Sequence, residues 1–199
     1  MKALRVVFIV LTLTLLLTGV STAEWTTYLG DKANTATGET DLDENITVGW
    51  THAVDGETAS SPIVADEKVY VGVMENISTI DDIKTSANAT GLVTSWNSTT
   101  GDKIWEFETD GGVFSSLAYD NGTVYATTVS GHVYALTSET GEVNWVFEAD
   151  GPIFSSPKVE NGGVYFGTRA YNAHVRQDGE YHLYRLNSTD GTLDWRYQV

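Results

Sequence analysis

The chain has no cysteine. Disulfides, thiolate metal sites, a cysteine nucleophile and a lipid-modified N-terminal cysteine are therefore excluded. Basic residues are scarce: 11 Lys and Arg stand against 27 Asp and Glu in 199 residues, a net charge of −16. Such a surface repels nucleic acid and anionic membranes. H-E-x-x-H zinc spacing, a G-x-S-x-G elbow, a glycine-rich phosphate loop, an EF-hand and a catalytic carboxylate pair are all missing. Apolar residues are not scarce. At 41% they suffice for a packed core, so the composition is not that of a disordered chain.

One long apolar run is present, in MKALRVVFIVLTLTLLLTGVSTA. Lys2 and Arg5 form a positive start, Val6 to Leu17 an apolar stretch, and Ser21-Thr22-Ala23 a small-residue cleavage site. The run is short for a membrane span of about 20 residues. Residues 1–23 are read as a signal peptide, with no stable span left after cleavage. The mature part keeps 9 basic against 27 acidic residues, −18, and is expected outside the cell or at its surface.

Asn-x-Ser/Thr sequons occur at Asn45, Asn76, Asn88, Asn97, Asn121 and Asn187, six of the ten asparagines. Turn composition alone enriches Asn, Ser, Thr and Gly together. An exported chain with this many acceptors is also expected to be a glycoprotein at exposed loops.

The rest is repetitive. STTGDKIW stands at 98–105, SETGEVNW at 138–145 and STDGTLDW at 188–195. Aligned on these phrases, residues 59–108, 114–148 and 154–198 are copies, with insertions near 74–90 and 170–180. Within a copy, short runs alternate apolar and polar residues, as in Val143, Trp145 and Phe147. Gly, Asn and Asp break them into four strands, A to D. Gly101, Gly141 and Gly191 are expected in the left-handed conformation. Four short strands per roughly 40 residues is the arithmetic of a propeller blade. The fold class is all-β: four-stranded antiparallel blades, about three of them, plus a leading outer strand at about 45–53.

The stretch Gly131 to Trp145, G-x-x-Y-A-L-x-x-x-T-G-x-x-x-W, followed by S-S-P and V-Y-x-G, resembles the pyrroloquinoline-quinone (PQQ)-type β-propeller repeat. EWTTYLGDKANTATG is similar to the segment that opens secreted members of that family. The resemblance implies that Trp50, Trp105, Trp145 and Trp195, with the turn glycines, lock neighbouring blades together. At the position where the family often carries Asp, this chain has Asn97, Thr137 and Asn187. A neutral side chain is expected to make that turn's hydrogen bond, which disfavours a glycan at Asn97 and Asn187.

The leading strand aligns only with strand D, and the third copy has a D strand of its own. A longer propeller, of which this is the N-terminal part, a truncated reading frame and a half-ring that assembles are the alternatives this leaves. Open edges of this kind invite self-association.

Candidate sites are few. Asp55-Gly56, Asp110-Gly111 and Asp150-Gly151 repeat between strands D and A and could ring a channel mouth to attract a cation. Ordinary turn chemistry accounts for the same dipeptides. Asp66, Asp120 and Glu160 repeat on the opposite face, and His174 and His182 flank the third insertion. The doubled serines, Ser60-Ser61, Ser115-Ser116 and Ser155-Ser156, are expected to pack and hydrogen-bond on the inner strand. The expected function is an exported, non-catalytic scaffold that binds a protein or ligand at the cell envelope, with no cofactor. The alternative that the resemblance implies is a PQQ- and calcium-dependent quinoprotein dehydrogenase. That reading would enlist Trp96 and the Asp-Gly turns.

Overall fold

Type I′-like turns start each repeat. Asp66 and Glu67 take φ of 48° and 58°, Asn121 and Gly122 47° and 76°, and Asn161 and Gly162 48° and 70°. Two successive positive φ values match the twist of paired strands, so each turn folds strand A back onto strand B. The computed structural model describes residues 26–28, 48–76, 89–169 and 181–199. The leader at 1–23, Asn45, Asn88, His174 and most of both insertions lie outside the described residues.

Twelve strands form three four-stranded antiparallel sheets among the described residues. The first blade contains β1 (Ile63–Ala65), β2 (Lys68–Glu75), β3 (Thr90–Asn97) and β4 (Lys103–Thr109), in that order across the sheet. The second has β5 (Ala118–Asp120), β6 (Thr123–Thr127), β7 (His132–Thr137) and β8 (Val143–Glu148). The third has β9 (Lys158–Glu160), β10 (Gly163–Gly167), β11 (His182–Asn187) and β12 (Leu193–Gln198). Both the strand count and the A-to-D order match the alternation in the sequence.

The same irregularity recurs in every outer strand. Trp105 pairs with Ser95 and Lys103 with Trp96, leaving Ile104 as an extra residue. Asn144 and Asp194 are the extra residues of β8 and β12. A bulge adds local twist and re-aims the side chain beside it. Here that side chain is the tryptophan.

The core lies between sheets. Ile63, Tyr70, Val93 and Trp105 of the first blade pack on Leu117, Tyr119, Val124 and Leu136 of the second. Tyr125, Val133, Ala135 and Trp145 of the second pack on Val159, Val164, Phe166 and Leu186 of the third. The facing surfaces of neighbouring sheets are thus buried by stacking, as one blade cannot do alone.

The leading segment differs from expectation. Residues 48–54 form no ladder among the described residues, although a strand was expected at about 45–53. A strand needs a neighbouring edge to satisfy its amides, and residues 48–54 pair with no edge of the three described sheets. Trp50 is nevertheless held, as described next.

Candidate functional site

The repeated phrase builds a joint on the face that carries the A-to-B and C-to-D turns. In each blade these two turns are tied together: the amides of Ser98, Ser138 and Ser188 donate to the carbonyls of Glu67, Gly122 and Gly162. The turn glycines take φ of 76°, 74° and 72° at Gly101, Gly141 and Gly191, as expected. A Cβ on Gly141 would lie 2.7 Å from the Trp105 ring, and one on Gly191 2.6 Å from the Trp145 ring. Gly101 stands likewise under Trp50, 2.6 Å from where its Cβ would be. Each indole then donates its Nε1–H to the serine carbonyl of the same turn: Trp50 to Ser98 at 3.0 Å, Trp105 to Ser138 at 2.8 Å, Trp145 to Ser188 at 3.0 Å. The strand-B tyrosines point to the same carbonyls, Tyr70 to Ser138 at 3.5 Å and Tyr125 to Ser188 at 3.2 Å. Burial raises the pKa of both phenols, which stay neutral donors. Trp105 and Trp145 are each 8% exposed, whereas Trp195 is 40% exposed.

At the first position of these turns the docking side chain is neutral in the first and third blades. Asn97 Oδ1 accepts from the amides of Thr99 and Thr100, and Asn187 Oδ1 from that of Thr189. Asn76 and Asn121 are exposed, each in the left-handed region, with side-chain amides on Thr90 and Asp120 respectively. On the same face Asp66 accepts from the Tyr119 hydroxyl of the next blade.

The doubled serines form a second staple, on the inner strands. The Ser61 amide donates to Ser116 Oγ at 3.1 Å, and the Ser116 amide to Ser156 Oγ at 3.1 Å. The first serine of a pair ties strand A to strand B of its own blade, as Ser155 Oγ does by accepting from the Gly167 amide at 2.9 Å.

The opposite face carries the Asp-Gly turns. Asp110 accepts from the Tyr134 hydroxyl at 2.7 Å and from Ser130 at 3.0 Å, and its other oxygen lies 2.8 Å from His132 Nδ1. Asp150 repeats this one blade later. Its carboxylate lies 2.9 Å from His182 Nδ1 and 3.2 Å from Arg196, and its backbone amide donates to the Tyr184 hydroxyl at 3.4 Å. Burial pushes the Tyr134 phenol up to about 12, and the adjoining Asp110 adds to the shift. Tyr184 is raised as well, by burial first and then by Asp150. These carboxylates brace the start of a blade to its third strand. The first blade has Leu92 and Thr94 where the others have the His and Tyr, so Asp55, which is exposed, has no equivalent brace. Among the described residues no three His, Asp or Glu side chains converge as a metal site. The H-x-Y pairs in GHVYALT and YHLYRLN were the signal for the braces, since both residues recur at one strand position.

Trp96 is 9% exposed, stacks on His52 of the leading segment with centroids 4.7 Å apart, and donates to Thr94. Trp96 is therefore covered where a stacking platform would need to be open.

The sequence profile of the family described as "Outer membrane protein assembly factor BamB" matches residues 89–199, more than half of the chain. No curated protein matches in sequence. Among solved structures, quinohemoprotein alcohol dehydrogenase from Comamonas testosteroni superposes with a TM-score of 0.67 at 20% identity, over 89% of this chain and 27% of that one. BamB from Moraxella catarrhalis gives 0.57 at 14% identity, over 77% and 41%. A europium-containing methanol dehydrogenase gives 0.61 at 16% identity, over 88% and 32%. The chain thus spans well under half the length of each of these structures, and at such identities the likeness is one of fold. With the repeat phrase, the blade order and the profile in agreement, the chain belongs to the PQQ-like β-propeller repeat family whose profile is described as outer membrane protein assembly factor BamB.

Proposed function

We propose that the chain is an exported, non-catalytic propeller scaffold that binds a protein or ligand at the cell envelope. The observation that carries this reading is where the repeated polar groups are spent. The tryptophan N–H groups and the second serine of each pair tie neighbouring blades, while the first serines and the carboxylates Asp110 and Asp150 brace strands within a blade. None of them is left converging on a common space, as residues that grip a cofactor and its reacting partner must. The acidic surface and the signal-like leader support an exterior location. The family's description as an assembly factor supports a partner that is itself a protein.

A quinoprotein dehydrogenase is the second reading, favoured by the dehydrogenases among the similar folds. Bound PQQ would supply the redox chemistry, with calcium held by oxygen ligands. Against it, Trp96 lies under His52, and the Asp110 and Asp150 carboxylates already receive their donors. Titration with PQQ and Ca²⁺, followed by the quinone absorbance, separates the two. The scaffold reading predicts no saturable change, and a saturable one would overturn it. Cross-linking on intact cells, read by mass spectrometry, then identifies the envelope partner.

A further inference from the structure

The outer strands β4, β8 and β12 each leave one edge without a neighbouring strand in their own sheet. Such an edge carries unpaired amide and carbonyl groups and is a template for another strand. The register identifies the residues that hold those groups. The Ala149 amide donates to the Gly131 carbonyl, so the alternate residues Trp145 and Phe147 are the ones bonded to β7. Val146 lies between them opposite Tyr134, and its own backbone groups point away from the sheet. Glu106 of β4 and Arg196 of β12 hold the same place, opposite Thr94 and Tyr184.

At that place two of the blades are guarded and the middle one is not. Glu106 pairs with Lys103 at 2.7 Å, and Arg196 with Asp150 at 3.2 Å. Charges of this kind blunt an edge, because a docking strand would have to strip their water. Val146 is instead a β-branched apolar residue, 48% exposed, and β8 carries no charge from Val143 to Phe147. The bulge recurs in all three outer strands and so does not set β8 apart. The blade that carries β8 is packed on both neighbours, which leaves this edge as its accessible side.

Charge decides which strand fits. Glu142 and Glu148 flank the neutral stretch, and both are exposed. A second copy of β8 docked antiparallel would set Glu142 against Glu148 or against Asp150, and like charges directly opposite destabilise a pair. A strand that is apolar in its middle and carries Lys or Arg at its ends meets both carboxylates instead. The net charge of −16 attracts such a segment. We propose that the free edge of β8 docks an extended segment of a partner protein, apolar in the middle and basic at both ends. The segment adds a fifth strand to the four of the second blade. Backbone hydrogen bonds to Val146 and Glu148 hold it, and the flanking glutamates set its register. The inference rests on the scaffold reading above and names the contact through which that scaffold works.

NMR titration of the isotope-labelled chain with the synthetic peptide acetyl-Lys-Thr-Val-Thr-Val-Thr-Lys-amide tests this. Far-UV circular dichroism checks that each variant keeps its strands. Saturable shifts centred on the Val146 and Glu148 amides are expected, with slower hydrogen exchange of both once the peptide is bound. Val146→Lys should weaken binding by about ten-fold, by removing an apolar cross-strand pair and setting a cation against a basic segment. Glu148→Gln should weaken it by about three-fold and serves if Val146→Lys fails to fold. A peptide with Glu in place of both Lys should bind far more weakly. A peptide methylated at every amide between its lysines should not bind, since it cannot form the ladder. No saturable shift, or shifts away from β8, would overturn the proposal. So would equal binding of the acidic or the methylated peptide, or binding indifferent to Val146→Lys and Glu148→Gln. Dimerisation of the chain alone that Val146→Lys abolishes would give the edge to a second copy and overturn it too. The PQQ titration reads the scaffold separately. Uptake of PQQ with the peptide still on β8 sinks the scaffold reading and supports the docking edge, while binding of neither sinks the edge alone.

Discussion

Replacing Gly141 with alanine separates the joint from the turn that carries it. Gly141 and Gly122 have nearly the same backbone, φ of 74° and 76°. An alanine at either is strained by about 1–2 kcal/mol, because a Cβ is unfavourable in the left-handed region. Their surroundings differ. A Cβ at Gly122 would meet nothing nearer than Ser138 Oγ at 4.0 Å, while at Gly141 it would lie 2.7 Å from the Trp105 ring. The ring must leave its seat, and with it goes the 2.8 Å hydrogen bond to Ser138. That loss approaches the about 3–5 kcal/mol of truncating a buried tryptophan. Gly122→Ala should thus cost about 1–2 kcal/mol and Gly141→Ala about 4–6 kcal/mol. For a chain of this size the Tm should fall by roughly 2–8 °C for the first and by roughly 8–24 °C for the second. Urea unfolding followed by far-UV circular dichroism reads both without relying on the tryptophan signal. Gly162 and Gly191 give an independent pair, since a Cβ at Gly162 meets nothing within 4 Å and one at Gly191 meets Trp145 at 2.6 Å. Equal losses at Gly141 and Gly122 would refute the reasoning: the turn, and not the seat under the ring, would then be what the glycine is for.

Three further outcomes follow from the same geometry. Glu67 holds φ of 58° where the equivalent turns have Gly122 and Gly162; Glu67→Gly should raise stability by up to about 1 kcal/mol in the same urea assay, by relieving left-handed strain. Tyr134 titrates at about 12 when folded and near 10 when unfolded; the stability it contributes is fully present below about pH 10 and is lost as pH rises through the folded value, so Tyr134→Phe should flatten the fall in unfolding free energy measured across that window. Peptide mapping of chain from a glycosylating host should find glycan at Asn121 and none at Asn97 or Asn187, whose side-chain oxygens are taken up by turn amides.

The parts of this molecule that are local in the chain were legible in its sequence. Alternation in VNWVFE and the turns DNG and ENGG are short-range signals, and they placed β5 to β12 and the left-handed Gly141. Docking of Asn97 and Asn187 was also legible, because the hydrogen bond spans only two or three residues. What escaped depends on register across strands. Asp110 meets His132 and Tyr134 only because the turn before the second blade lies beside its third strand, a relation that spacing along the chain does not encode. The Asp-Gly repeat reads in the sequence as a cation ring or a self-capped turn, and the cross-strand neighbours of Asp110 and Asp150 are not visible there. The serine ladder reads in the sequence as inner-strand bonding, but that the Ser116 and Ser156 hydroxyls reach the preceding blade follows only from the stacking of sheets. Trp96 looked available because its neighbour His52 lies far along the chain.

The most direct test of the central claim, that the thrice-written phrase is a joint and not a site, is hydrogen exchange of the individual indole N–H groups by NMR. Trp105 and Trp145, bonded to the Ser138 and Ser188 carbonyls and nearly buried, should exchange slowly. Trp195, with the same sequence around it but an open face before it, should exchange rapidly. Exchange of Trp105 and Trp145 as fast as that of Trp195 would contradict the account.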